Sequence, residues 1–205
     1  MTSSPLTFET AAAQVVDMAR FAGARGWVPA TAGNFSVRMD ETRAALTASG
    51  GDKGQLDVSG VIEVEIEGPK HPRASAEGPL HLHRYGAAPE IGAIAHCHPL
   101  AAVVLSRRYE KAGKIILEGW ELQKAFAGET THDRALEVLV VPNDQDTERL
   151  ANLVEERLPK TASAPGYLIA GHGLYTWGRN LAAVKRHMEA FDHLLTAKLY
   201  EESLK

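Results

Sequence analysis

The sequence predicts an α/β fold in which helices cover a largely antiparallel or mixed sheet. Three short stretches of strand character follow the first helical stretch with no helix between them, and the later strands alternate with helices. The Gly-x-Gly-x-x-Gly pattern of dinucleotide-binding folds is missing from the first junction of strand and helix. These observations disfavour a doubly wound parallel sheet.

The first predicted elements are one helix and three strands. Apolar and alanine residues recur at helical spacing over 8–24, and the helix is expected to end near Gly26. Glycine-containing turns separate the next strands, which are predicted at 35–39, 44–48 and 61–66. The last of these is rich in valine and isoleucine, whose β-branched side chains favour strands.

The second half of the chain alternates helices with strands. A helix over 77–87 leads into an apolar strand, and Pro99 suits the first turn of the next helix, through Arg107, because its missing N–H is no loss there. A strand is predicted at 138–141, and Asp146 then provides the N-cap of a helix. The remaining predicted elements are two strands, at 167–170 and 174–177, and a long final helix capped by Asn180.

Length and composition indicate one domain. The 205 residues can bury a core without a disulfide or structural metal, so residues 1–205 are expected to form a single domain. The apolar content of 44%, the charged content of 23% and the net charge of -4 predict neither a nucleic-acid nor a membrane partner. One cysteine excludes an internal disulfide, and the first ten residues lack a secretory pattern, so a cytoplasmic location is expected.

Two histidines at the end of a predicted strand indicate a metal site. His96 and His98 close the apolar run 91–95, and on a strand their side chains share one face while Cys97 points to the other. His172, flanked by glycines after a second apolar run, is the best third ligand. Three neutral imidazoles would leave coordination positions open, as catalytic sites do. The alternative is a set of unrelated, hydrogen-bonded histidines at strand ends.

Three polar segments have the composition of an anion-binding site. Glycines lie beside side-chain donors at 32–36 and 48–53, where backbone N–H groups can wrap an anion and Lys53 can add a charge. A third segment, 73–77, places Ser75 where a helix begins, and helix N-termini favour phosphate. Taken singly, each segment is also consistent with an ordinary turn or N-cap.

These motifs, in their order along the chain, resemble the class II aldolase and adducin-like family. The motifs are Gly33-Asn34-Phe35-Ser36, Thr47-Ala48-Ser49-Gly50, Ser75-Ala76-Glu77 with His81 four positions later, His96-Cys97-His98 and Gly171-His172-Gly173. The resemblance covers nearly the whole chain. It implies a three-layer α/β/α sandwich with a mostly antiparallel central sheet, and a homotetramer with active sites at subunit interfaces.

The resemblance also implies roles for individual residues. His96, His98 and His172 match the ligands of one Zn²⁺ per subunit, and Glu77 falls at the acid/base position of the aldolases. The substrate would be a small sugar phosphate, with its phosphate bound by Gly33, Asn34, Ser49, Gly50 and Ser75. The aldolases' second phosphate-binding serine is Ala76 here, so the phosphate contacts are expected to differ.

A later segment distinguishes branches of the family. Residues 117–125 and 141–146 are unlike an aldolase or epimerase and resemble the branch that dehydrates a methylthio-substituted pentulose 1-phosphate in methionine salvage. In that branch a glutamate at the position of Glu121 is the general acid/base, and a lysine near the phosphate matches Lys53. Such a glutamate needs a pKa raised toward roughly 6 or 7 by burial. The role of Glu77 in that reaction stays open.

Three other functions remain as alternatives. The same scaffold and metal serve aldolases and pentulose-phosphate 4-epimerases, whereas adducin-type relatives use the fold for protein binding without catalysis. The presence of all three histidines favours an enzyme. For Glu121 the ordinary alternative is a solvated helix carboxylate, and the neighbouring Glu118 has no assigned role.

Three further positions are expected to be structural. Cys97 should be a small buried thiol. His81 and His83 lie two apart on a predicted helix, so they face different directions and do not share an ion. Tyr175 is expected in the core or at an interface rather than at the substrate.

Overall fold

The computed structural model describes residues 5–158 and 163–204, which form an eight-stranded sheet with helices on both faces. The strands are β1 (Asn34–Arg38), β2 (Arg43–Thr47), β3 (Val61–Glu65), β4 (Ala93–Cys97), β5 (Lys114–Leu117), β6 (Leu136–Val141), β7 (Ser163–Ile169) and β8 (Gly173–Gly178). The helices are α1 (Phe8–Ala24), α2 (Gly78–Ala87), α3 (Leu100–Arg108), α4 (Thr147–Arg157) and α5 (Leu181–Ser203). Residues 1–4, 159–162 and 205 of the predicted domain lie outside the described part.

The sheet is antiparallel at every junction except one. Its strand order is β3-β2-β1-β4-β8-β7-β6-β5, and the parallel pair is β6 with β7. At its centre Asn34 of β1 lies opposite His96 of β4, which in turn lies opposite Tyr175 of β8. Directly opposed residues project from the same face of a sheet. The register therefore puts these three side chains in one row.

Two hydrophobic cores show which helices cover each face. Val15 of α1, Leu105 of α3 and Phe191 of α5 are buried in one core, and Leu80 of α2 and Leu150 of α4 are buried in the other. This arrangement confirms the expected three-layer α/β/α sandwich with a mostly antiparallel sheet. Within the described part of the chain, no helix combines the length and apolar character needed to cross a bilayer.

Most predicted elements are present within two residues of their expected bounds. The two predicted N-caps are confirmed, because the Asp146 side chain accepts from Arg149 N at 3.0 Å and the Asn180 side chain accepts from Ala183 N at 2.9 Å. The sequence did not predict β5, a four-residue edge strand. Its exposed and buried residues alternate over too short a stretch to give a clear period.

Candidate active site

Three histidines converge where β4 ends and β8 begins. His96 lies in β4, His98 follows two residues later, and His172 lies in the turn between β7 and β8. Each imidazole offers one nitrogen, and the three nitrogens lie within 4.8 Å of one another. The structure thus brings together the three side chains proposed as ligands, at a spacing that fits one shared ion.

Hydrogen bonding and burial leave two of these imidazoles, those of His96 and His98, in the neutral form that binds metal. His96 is fully buried, and its Nδ1 donates to the Leu174 carbonyl at 3.0 Å, so the lone pair is on Nε2. That Nε2 faces Nε2 of His98 at 2.9 Å. Burial lowers the pKa of His96 to about 3 and that of His98 to about 4, which keeps both neutral. Nδ1 of His172 is buried and has no hydrogen-bond partner. The nitrogen atoms of these three histidines therefore fit a divalent ion.

Glu77 lies directly against two of these histidines. It is the residue before α2, yet its carboxylate does not cap that helix. Oε1 lies 3.0 Å from His172 Nε2, and Oε2 lies 3.4 Å from His96 Nε2 and accepts from Asn34 Nδ2 at 2.5 Å. Burial opposes ionisation of Glu77, but the nearby histidines and the Asn34 donor outweigh it and hold the pKa below its ordinary value. Glu77 is therefore an ionised carboxylate beside the cluster.

An aromatic stack orients the most buried histidine. The ring of Tyr175 packs on the imidazole of His96 with centroids 4.1 Å apart and planes inclined by 15°. Tyr167 packs in turn on Tyr175, with centroids 5.0 Å apart. Tyr175 is buried, as expected of a core residue. The contact of Tyr175 with His96 was not predicted from the sequence. It could have been inferred from the pairing of the two predicted strands, which places these residues directly opposite each other.

The polar segments that were expected to bind phosphate are joined to one another. Ala48 and Ala74 form an isolated antiparallel bridge, and Ser49 N donates to the Arg73 carbonyl at 2.9 Å. Gly33 has a φ of +84°, and a Cβ there would lie 2.9 Å from the His96 carbonyl oxygen. Only glycine combines that conformation with so close an approach. The first loop is thereby held against the strand that carries His96.

Lys53 connects the two glycine-containing loops. Its Nζ donates to the carbonyls of Gly51 at 2.7 Å and Thr31 at 3.2 Å, and the residue is only 3% exposed. Burial lowers its pKa, and within the described residues no carboxylate forms an ion pair with it. A buried cation without a counter-ion is unfavourable, so this position is suited to an anion.

The remaining residues predicted for phosphate binding differ in accessibility. Ser49 and Gly50 are exposed, whereas Ser75 is half-buried and its Oγ accepts from Glu77 N at 3.3 Å. Asn34 is 2% exposed, and its amide is engaged by Glu77 and His81. Its predicted contact with phosphate therefore competes with existing hydrogen bonds.

The sequence as a whole matches a known family. The profile described as Class II Aldolase and Adducin N-terminal domain covers residues 13–199. The chain belongs to the class II aldolase and adducin family.

Two curated relatives in the class II aldolase and adducin family carry the same enzyme name. A methylthioribulose-1-phosphate dehydratase from Parvibaculum lavamentivorans is 68% identical over 198 residues, which span 97% of each chain. One from Sorangium cellulosum is 45% identical and covers 97% of this chain and 95% of its own. The solved structure of L-fuculose-1-phosphate aldolase from Thermus thermophilus is 27% identical, with a TM-score of 0.78 over 97% of this chain and 98% of that one.

Glu121, the second residue predicted to act as an acid/base, lies on the surface. It begins the short 3₁₀ helix Glu121–Ala125, its side chain is 72% exposed, and it pairs with Lys124 and, at 3.5 Å, with His132. Its described contacts do not include the three histidines. The hydrogen bond from Lys124 lowers its pKa. The expectation of a pKa raised by burial is therefore wrong for the single chain.

His81 is completely buried, and its sequence context alone indicated no role for it. Its Nε2 lies 2.5 Å from Asn34 Oδ1, next to the bond between Asn34 and Glu77. The available signal was spacing, because His81 lies four residues after Glu77 and a helix places such residues on one side. His83 lies elsewhere, in an exposed pair with Glu148 at 3.0 Å, so the expected separation of His81 from His83 is present.

Proposed function

We propose that this chain is a metal-dependent hydro-lyase that converts 5-methylthioribulose 1-phosphate to 2,3-diketo-5-methylthiopentyl 1-phosphate, a step of methionine salvage. The observation that carries the proposal is the convergence of three imidazoles and the Glu77 carboxylate beside loops suited to phosphate. The substrate follows from the dehydratase that is 68% identical over almost the entire chain. The proposal includes a cytoplasmic location.

His96, His98 and His172 would hold one Zn²⁺ per subunit. A divalent ion in such a site acts as a Lewis acid that stabilises negative charge on substrate oxygens when a neighbouring carbon loses its proton. Their neutrality matters because protonated imidazoles cannot coordinate a metal, and burial keeps the pKa of His96 near 3. The stacked Tyr175 and the bond from His96 to Leu174 restrict ring rotation before any ligand arrives.

The linked loops would bind the substrate phosphate. Lys53 provides the charge, and its existing bonds to Gly51 and Thr31 set the spacing between two loops. The other proposed phosphate contacts are Gly33, Asn34, Ser49, Gly50 and Ser75. Gly50 adopts a left-handed backbone conformation, with a φ of +85°, and no atom lies within 4 Å of where a Cβ would be, so an anion can approach the chain closely there.

Glu121 would act as the acid/base. Its carboxylate removes the C3 proton, and the same group then gives a proton to the departing C4 hydroxyl, which leaves as water. The resulting enol tautomerises to the diketone, so the net change is the loss of one water. Glu121 is exposed, and its ion pairs are with Lys124 and His132 rather than with the three histidines. We therefore propose that, in a homotetramer, Glu121 of one subunit completes the site of a neighbouring subunit.

Aldol cleavage is the second candidate, and one observation favours it. In the single chain the carboxylate beside the histidines is Glu77, and the fold is close to that of a sugar-phosphate aldolase. In that reaction Glu77, rather than Glu121, would be the acid/base. A non-catalytic, adducin-like interaction module is disfavoured by the intact histidine cluster.

The test uses the full-length protein, assayed as purified and after addition of Zn²⁺. Incubation with methylthioribulose 1-phosphate should give the dehydrated diketone by mass spectrometry, and bound zinc should be found by elemental analysis. Glu121→Gln should abolish product formation, whereas the neighbouring Glu118→Gln should not. Cleavage of sugar phosphates without any dehydration would instead establish the aldolase, and a metal-free protein inactive on both would establish an interaction module.

A further inference from the structure

A buried series of hydrogen-bonded side chains extends behind Glu77. Asn34 Nδ2 donates to Glu77 at 2.5 Å, and Asn34 Oδ1 lies 2.5 Å from His81 Nε2. On the other side of the imidazole, His81 Nδ1 lies 2.7 Å from Ser36 Oγ, which lies 2.9 Å from the Tyr85 hydroxyl. The four residues behind Glu77 are each no more than 2% exposed. Water therefore does not compete for these bonds.

The direction of every bond follows from the orientation of the Asn34 amide. Its NH₂ group donates to Glu77 Oε2, and its carbonyl oxygen faces Nε2 of His81. Because a carbonyl oxygen only accepts, the proton of His81 is on Nε2. Burial lowers the pKa of His81 to about 3, so its Nδ1 carries no proton and accepts from Ser36. Ser36 Oγ is then left to accept from Tyr85.

We propose that His81, as the neutral tautomer with its proton on Nε2, is a positioning residue for Glu77. Its N–H fixes the amide of Asn34 in the orientation that donates to the carboxylate. Without that N–H, the Asn34 amide would be free to rotate and turn its oxygen toward Glu77. The carboxylate would then lose the donor that holds it between His96 and His172. The tautomer does not depend on the reaction catalysed, whereas its catalytic consequence rests on the proposed function.

The first test is spectroscopic and needs no turnover. Long-range ¹H–¹⁵N correlation spectra of the metal-free, full-length protein at pH 7 should show His81 with a protonated Nε2 and an unprotonated Nδ1. The His81→Gln variant assigns the resonance by its disappearance. The opposite tautomer, or an imidazolium, would overturn the proposal whatever reaction the enzyme catalyses.

The second test separates positioning from packing. His81→Gln keeps an N–H donor in reach of Asn34, whereas His81→Leu removes it. We expect His81→Leu to lower kcat by about 10- to 100-fold with little change in KM, and His81→Gln to recover most of that loss. His83→Leu, on the exposed part of the same helix, is the matched control and should leave kcat unchanged. Equal losses in the Leu and Gln variants would indicate packing alone and contradict positioning.

A third variant covers the case in which His81→Leu does not fold. Ser36→Ala retains His81 but removes the group that fixes its Nδ1, so kcat should fall by a smaller factor than in His81→Leu, with KM unchanged. If His81→Leu does not fold, an unaltered kcat in Ser36→Ala would reject the positioning role. If the wild-type enzyme does not dehydrate its substrate but the tautomer is as stated, the proposed function fails and the hydrogen-bonded series stands.

Discussion

The histidine cluster and the Glu121 segment are two parts of one proposed site, and they differ in how they are held. His96, His98 and His172 are positioned by the ends of adjacent strands and by buried neighbours within one chain. Glu121 lies on a five-residue 3₁₀ helix with 72% of its side chain exposed. The proposed metal ligands are therefore positioned by a single chain, whereas the proposed acid/base would need a second surface to bring it to the site.

The Glu121 segment is nevertheless anchored. Gln123 is fully buried, its Oε1 accepts from Trp120 N at 2.9 Å and its Nε2 donates to the Arg134 carbonyl at 2.8 Å. With that side chain turned inward, Glu121 and the 37% exposed Leu122 are presented outward. An anchored backbone that presents a carboxylate and an apolar side chain is suited to a contact between subunits.

The largest expected effect comes from removing a proposed metal ligand. His96→Ala should lose bound zinc and lower the dehydration rate by more than about 10⁴-fold, because the ion supplies several kcal/mol of charge stabilisation in the transition state. Elemental analysis and product formation measure the two losses. His193→Ala, an exposed histidine on α5, should retain zinc and activity. Full activity in a zinc-free His96→Ala protein would show that the cluster is not catalytic.

Glu121→Gln should lower kcat by about 10²- to 10³-fold with zinc retained, since it removes an acid/base without touching the ligands. The sharper experiment mixes it with His96→Ala subunits during refolding or co-expression. If each site takes its histidines from one subunit and Glu121 from the next, random mixing restores about a quarter of the sites.

The mixing experiment has a clear opposite outcome. A site built from one chain would stay inactive in every mixture, because each subunit would lack one essential group. The proposal that each site takes its histidines from one subunit and Glu121 from a neighbouring subunit would then be wrong. Mixing Glu118→Gln with His96→Ala subunits controls for assembly, since Glu118→Gln subunits should retain activity whatever their neighbours.

Lys53→Met should mainly weaken substrate binding. The ammonium is buried against two carbonyls, and hydrogen bonds to charged groups contribute about 1.5–3 kcal/mol, so KM should rise about tenfold or more with a small change in kcat. Steady-state kinetics measure both constants. The exposed Lys111→Met is the matched control. An unchanged KM in Lys53→Met would assign Lys53 to loop structure alone.

Much of the fold and the histidine cluster was predictable because local patterns determine them. The two-residue period of a strand put His96 and His98 on one face and Cys97 on the other, and Cys97 is indeed buried in the core on the opposite face. Strand ends that follow apolar runs also indicated the place of His172. These inferences needed only periodicity and turn composition.

The environment of the two glutamates was not predictable in the same way. The contact of Glu77 with His96 and His172 depends on where α2 packs across the sheet, which involves residues distant in sequence. The exposure of Glu121 depends on what covers it, and a partner surface leaves no local pattern in the sequence. Lys53 looked like a turn residue, and its burial arises from the contact of two loops.

The smallest predicted effect concerns the pH dependence of Glu121. As a base it must be ionised, so kcat/KM should fall as the pH drops through its pKa, and Lys124 holds that pKa down in the single chain. Lys124→Met should therefore raise the pKa and move the acid limb of kcat/KM to higher pH, with a loss of a few-fold on that limb. Lys111→Met should leave the profile in place. An unchanged profile in Lys124→Met would mean that assembly replaces Lys124 with another neighbour of Glu121.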